Sequence, residues 1–145
     1  MLTIPDNLRI SCEPTASATD IALIKDALYE FNMVRMNDHN PKPINLFVRD
    51  TDNVIYGGLL ANCWGDWVHI DFLWVSELAR NRDFGTKLMD NAHQQARDFG
   101  CKGAYLETFS FQARPFYERF GYKVVGEVKD YPPGQTYFFM AKSPL

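Results

Sequence analysis

At 145 residues the chain has about the commonest size of a single domain, large enough for a real core and short for two. Its composition is 46% hydrophobic and 14% aromatic, yet no run approaches the roughly 18 uninterrupted apolar residues that a membrane-spanning helix needs, so no membrane partner is expected. A formal net charge of −3 with no basic block excludes the electrostatic footprint of a nucleic-acid binder and suits a neutral or cationic partner.

In chain order, Leu8 to Glu13 alternates enough for a first strand, and Thr19-Asp20 then offers a cap for a helix bearing Ile21, Ile24, Leu28 and Phe31 at helical spacing. Asp38 to Pro43 reads as a loop. Leu46–Arg49, Val54–Trp64 and Trp67–Val75 read as three strands of an antiparallel meander, turning at Asp52-Asn53 and Gly65-Asp66. Strict alternation along the third puts Val68, Ile70, Phe72 and Trp74 on one face, and His69 and Asp71 on the other with Trp67, Leu73 and Val75.

Phe84, Leu88, Ala92, Ala96 and Phe99 then recur every three or four residues and stop at Gly100, the pattern of an amphipathic helix closed by a glycine. Gly103–Thr108 is a short buried strand. A brief helix lies between Pro115 and Gly121, and Tyr122–Val128 and Thr136–Ala141 complete the sheet. A meander joined to strand-helix-strand units predicts one mixed α/β domain over residues 1–145, with helices covering the sheet faces.

Cys12, Cys63 and Cys101 are odd in number, widely spaced and without C-x-x-C pairing. That speaks against a disulfide framework or a structural zinc site; no metal is expected, and the thiols read as reduced, small hydrophobes. Met1 to Asp6 lacks the basic segment, apolar run and cleavage site of a secretory signal, so a cytoplasmic location is expected.

The chemistry concentrates in Leu73-Trp74-Val75-Ser76-Glu77-Leu78-Ala79-Arg80-Asn81-Arg82-Asp83-Phe84-Gly85-Thr86, where an apolar strand passes through a basic turn into a helix. The first turn of a helix presents amides without intrahelical partners and a partial positive charge, which suits a diphosphate. Arg80 and Arg82 would add full charges, and Gly85 would let a ligand approach the backbone closely.

This segment resembles the acetyl-CoA-binding motif of the GNAT N-acetyltransferase superfamily, a strand followed by Arg/Gln-x-x-Gly-x-Gly/Ala at the start of a helix. A second stretch, Leu106-Glu107-Thr108-Phe109-Ser110-Phe111-Gln112-Ala113-Arg114-Pro115-Phe116-Tyr117-Glu118-Arg119-Phe120-Gly121-Tyr122, is similar to the superfamily's next motif. Two ordered matches about 30 residues apart are far more specific than either alone.

The resemblance implies the GNAT fold, an α/β domain whose central, mostly antiparallel sheet splays at the cofactor. It implies acetyl-CoA held by Leu73, Trp74, Val75, Arg80, Asn81, Arg82, Asp83, Phe84, Gly85 and Thr86, with Ser110 near its pantetheine or adenosine end and Phe116 alongside. Tyr117 matches the tyrosine that protonates the departing thiolate, a role its phenol suits by staying protonated at neutral pH. Pairing through the last strands would make a homodimer, and Tyr137-Phe138-Phe139-Met140 would be an apolar sheet edge if uncovered.

The chain departs from the motif at Asp83, which stands where the first glycine belongs. Its carboxylate would compete with phosphate for the same amides, and the expectation is that it turns to solvent and caps the helix from outside.

An acceptor amine must lose a proton before its nitrogen attacks. His69 has a suitable pKa range, and Asp71 could orient it, act through water or bind the ammonium; which of the two is the base stays open. Glu107 is a weaker candidate for the same cleft and reads more simply as a solvated or strand-edge carboxylate. The expected activity is direct acetyl transfer from acetyl-CoA to a primary amine of a small molecule or peptide. Two alternatives are a longer acyl donor and a coenzyme A-binding regulatory module with little turnover.

Overall fold

The computed structural model describes residues 6–36 and 40–145. The chain forms two units, Met1–Asp38 and His39–Leu145. In the first, helix α1 spans Ala18–Met33. Its cap is Ser17, whose Oγ accepts the Asp20 N–H at 3.0 Å, rather than Thr19-Asp20, which fall inside the first turn where the Asp20 charge suits the helix end. Residues 8–13 form no strand. Alternation supplies a two-sided segment, but a strand exists only where a ladder partner takes its backbone groups.

The second unit carries β1 (Lys42–Arg49), β2 (Ile55–Trp64), β3 (Trp67–Val75), α2 (Phe84–Asp98), β4 (Gly103–Phe109), α3 (Arg114–Arg119), β5 (Lys123–Lys129) and β6 (Thr136–Lys142). Of the expected loop at 38–43, residues 38 and 39 lie outside the described residues, and Lys42 and Pro43 already belong to β1. The strands form one six-stranded sheet in the order β1-β2-β3-β4-β6-β5. β6 is therefore internal and β5 is the edge, which corrects the expectation of an edge at Tyr137 to Met140. A run apolar on both faces is what a central strand presents. No helix among the described residues is long and apolar enough to cross a membrane.

One face of the sheet packs under α2. Ile44, Leu59, Ala61, Val68, Ile70, Ala104, Leu106 and Met140 meet Leu88, Met89, Ala92 and Ala96 there, all buried, and Phe116 and Tyr117 of α3, with Phe120 just after it, pack against the same cluster. α2 ends as its sequence demands, at Gly100 with φ +88°, a conformation that costs a residue with a Cβ. Gly58 sits between Phe47 and Trp74 in the register, and a Cβ there would come within 2.6 Å of the Leu46 carbonyl oxygen, so only glycine lets β1 and β2 lie this close.

Two irregularities shape β3. Leu60 pairs with Phe72 and Ala61 with Ile70, so Asp71 is an extra residue, a β-bulge. A bulge reverses the alternation beyond it. Leu73 and Val75 consequently join Val68 and Ile70 on the core side, while Phe72 and Trp74, 69% and 56% exposed, lie on the side of His69. This overturns the strict face assignment read from the sequence.

The second irregularity is a fork. β3 and β4 run parallel but pair only over Trp67–Ile70 and Gly103–Leu106. Beyond Ile70 the strands part: Glu107 to Phe109 continue pairing with β6 and Leu73 to Val75 with β2. The edge of β3 that faces β4 is left without a ladder for those residues.

Candidate functional site

A cleft of about 520 Å³ opens at this fork. Leu73, Trp74, Val75, Arg80, Asn81, Asp83, Phe84, Gly85, Thr86, Phe116 and Tyr117 all line it, together with Ala79, Ala113 and Arg119. Ten residues of the first sequence motif and four of the second thus meet in one place. Arg82 instead lines a neighbouring cavity with Arg49, Asp50 and Tyr56. Ser110 is tied into the β4–β6 end, where its Oγ donates to Gln135 Oε1 at 2.6 Å and accepts the Thr136 N–H at 3.0 Å. Arg119 had no sequence signal beyond its place in the second motif; the turn of α3 brings it to the cleft.

The turn into α2 is built from left-handed residues. Asn81 has φ +60° and Asp83 φ +56°, a conformation that Asn and Asp adopt more readily than other side-chain-bearing residues. Such a turn aims successive amides into one concavity. Asp83 holds the N-cap position, but its side chain makes no capping hydrogen bond, which corrects the expectation of an external cap: the left-handed backbone replaces the extended one that a capping side chain requires. The first intrahelical bond runs from Lys87 N–H to the Asp83 carbonyl, and among the described residues no side chain caps the amides before it. Arg80 adds charge beside them, and its Nε reaches the Val75 carbonyl at 3.4 Å. At Gly85 the helix comes close to α3, since a Cβ there would stand 3.4 Å from the Phe116 ring, an ordinary van der Waals contact.

Tyr117 is set in this cleft by α3, packed against Phe116 at 5.3 Å and Tyr122 at 6.2 Å between ring centroids. Burial pushes its phenol further above the ordinary tyrosine value, so it stays protonated across the neutral range. Among the described residues its hydroxyl has no hydrogen-bond partner. Behind it, His93 Nε2 lies 2.8 Å from the Tyr122 hydroxyl, both side chains buried. Burial lowers His93 to about 4, helped by the charges of Lys142 and Arg97.

On the sheet face opposite α2, His69 stands between two carboxylates. Its Nδ1 lies 2.8 Å from Asp71 Oδ1 and its Nε2 2.6 Å from Glu107 Oε2. Glu107 is therefore neither merely solvated nor at an edge: the parallel register sets His69 beside Tyr105, and Glu107 follows on the same face of β4, just past the last rung. Tyr105 stacks on the imidazole at 4.4 Å and 4°. Its hydroxyl is pushed above the ordinary value by burial and by the charges of Glu107 and Asp71. The fork thus has a cleft on its helical side and an acid–imidazole cluster on the other.

The cysteines take no part in either. Cys63 and Cys101 are buried and Cys12 is exposed. Burial and a hydrogen bond to Cys101 push the Cys63 thiol up to about 12, far from a thiolate at neutral pH.

Comparison with known proteins points to one family. The profile of the acetyltransferase (GNAT) family matches residues 9–122. The chain is similar to acetyltransferase Atu2258 of Agrobacterium fabrum, 31% identical over 82% of this chain and 87% of that protein. It is also similar to the blasticidin-S acetyltransferase of Streptomyces morookaense, 42% identical over 59% of this chain and 64% of that one. The crystal structure of an acetyltransferase from Bacillus cereus superimposes with a TM-score of 0.81 at 30% identity, covering 92% of this chain and 97% of its own.

Proposed function

Because the chain belongs to the acetyltransferase (GNAT) family, we propose that it transfers an acetyl group directly from acetyl-CoA to a primary amine, with no covalent enzyme intermediate. The observation that carries this reading is the single cleft that gathers the open amides of α2, the unladdered edge of β3 and the Tyr117 hydroxyl. When bound there, acetyl-CoA supplies an acetyl group activated as a thioester.

The residues fit that ligand. Free amides at the head of α2, with Arg80 and Arg119, hold diphosphate charge. Leu73 to Val75 offer backbone groups that an amide-bearing arm can pair with, in the manner of an added strand. Tyr117 holds a proton for the leaving thiolate, whose pKa near 8.5 lies below its own. The acceptor enters from the other side of the fork, where Asp71 and Glu107 give it a negative surface. A relative named for acetylating blasticidin S supports a small-molecule amine over a peptide.

Acetyl-CoA offered with a broad panel of primary amines tests this by thiol release. We expect release with at least one amine, and an about hundredfold loss of kcat in Tyr117→Phe with coenzyme A affinity retained. Tight coenzyme A binding with silence across the panel would favour a regulatory module instead.

A further inference from the structure

Assignment of the base at the fork turns on how many hydrogens the His69 cluster holds. A carboxylate oxygen only accepts, and a ring nitrogen either donates or accepts. The contacts of 2.8 Å to Asp71 and 2.6 Å to Glu107 therefore each enclose one hydrogen, wherever along the contact it sits. Neither ring lone pair is open to a third group. Tyr105 stacks parallel on one face of the ring at 4.4 Å, and the two carboxylates hold its edges. A base that strips an ammonium must offer a free lone pair, and this imidazole offers none.

The carboxylates do. Each spends one oxygen on the ring, which leaves Asp71 Oδ2 and Glu107 Oε1 without a protein partner among the described residues. No lysine or arginine there pairs with either group; the ring stacks on Tyr105 of β4, and its register partner on β2 is Asn62. The two acids are not equivalent. Asp71 is the bulge residue, where β3 leaves β4, and its side chain is 35% exposed against 24% for Glu107.

We propose that Asp71 is the catalytic base and that Glu107, acting through His69, is a positioning residue which fixes the carboxylate that meets the acceptor. Glu107 holds Nε2, the rigid ring carries that constraint to Nδ1, and Nδ1 holds Oδ1 so that Oδ2 faces the fork. The assignment rests on the acetyl-transfer reading. Asp71 takes one proton from the ammonium and passes it to water, which frees the nitrogen lone pair. The N–C bond forms as the C–S bond breaks, and Tyr117 gives its proton to the sulfur. The second nitrogen proton returns through water to the phenol.

Kinetics and ring spectroscopy test it together. Asp71→Asn should lower kcat about a hundredfold with coenzyme A affinity unchanged, and His69→Gln should lower it less. His69→Gln losing more than Asp71→Asn overturns the assignment. Independently of turnover, nitrogen-15 spectra of the His69 ring in unliganded protein should show Glu107→Gln moving the Nε2 signal while Nδ1 stays bonded to Asp71. A ring spectrum unaltered by Glu107→Gln overturns the positioning role. Wild-type protein that takes up no coenzyme A would sink acetyl transfer alone, and the ring spectrum would still decide the role of Glu107.

Discussion

Asp83 combines two burdens at one position. Its backbone is left-handed at φ +56°, which costs a residue with a Cβ about 1 kcal/mol, and it adds a negative charge to the lining of the cleft that we assign to a diphosphate. Asp83→Gly removes both. One carboxylate–phosphate repulsion in watery surroundings is worth about 1 kcal/mol, so calorimetry should find coenzyme A bound about fivefold tighter. An unchanged affinity would show that the carboxylate is turned away from the ligand. The sequence made the position of Asp83 legible, through the motif, but not its backbone angle. Glu107 was legible as a weaker candidate for the same cleft and not as a bonded partner of His69, because 38 residues separate them and only the parallel register of β3 and β4 joins the two.

Among the elements, α2 was the most readable, since a helical repeat of apolar residues and a terminal glycine are both local signals. The bulge in β3 was not. Trp67 to Val75 is apolar on both faces apart from His69 and Asp71, so a reversal of alternation leaves no trace in hydrophobic pattern. The N-terminal segment failed for the opposite reason, having a pattern without a ladder. Close strand approach can be tested at Gly58. A methyl group there would press on the Leu46 carbonyl oxygen, a backbone atom that cannot rotate away. Gly58→Ala should cost about 1–3 kcal/mol in urea denaturation, and a stability equal to wild type would mean that β1 shifts freely.

At the scale of the folded unit, the buried His93–Tyr122 pair links α2 to the chain entering β5. His93 is lowered to about 4 in the folded state, against an ordinary value of 6.5. Its stabilisation is complete above pH 6.5, where both states are neutral. Below that the unfolded chain binds a proton that the folded one refuses, so stability falls until about pH 4, by on the order of 3 kcal/mol. Unfolding midpoints between pH 7 and 4 should show that slope, and His93→Gln should flatten it. A slope equally steep in the variant would assign the loss to other groups. The α/β class was legible from the order of the elements, whereas the place of β6 inside the sheet was hidden in a pairing between distant strands.

The parting of β3 and β4 means that the sheet is two three-stranded leaves, β1-β2-β3 and β4-β6-β5, joined along a seam of four residue pairs. The aperture between them is cut by main chain and not by any one side chain. Substitutions along its rim change the lining without shutting it, so the side chains there are free to diversify while the opening stays.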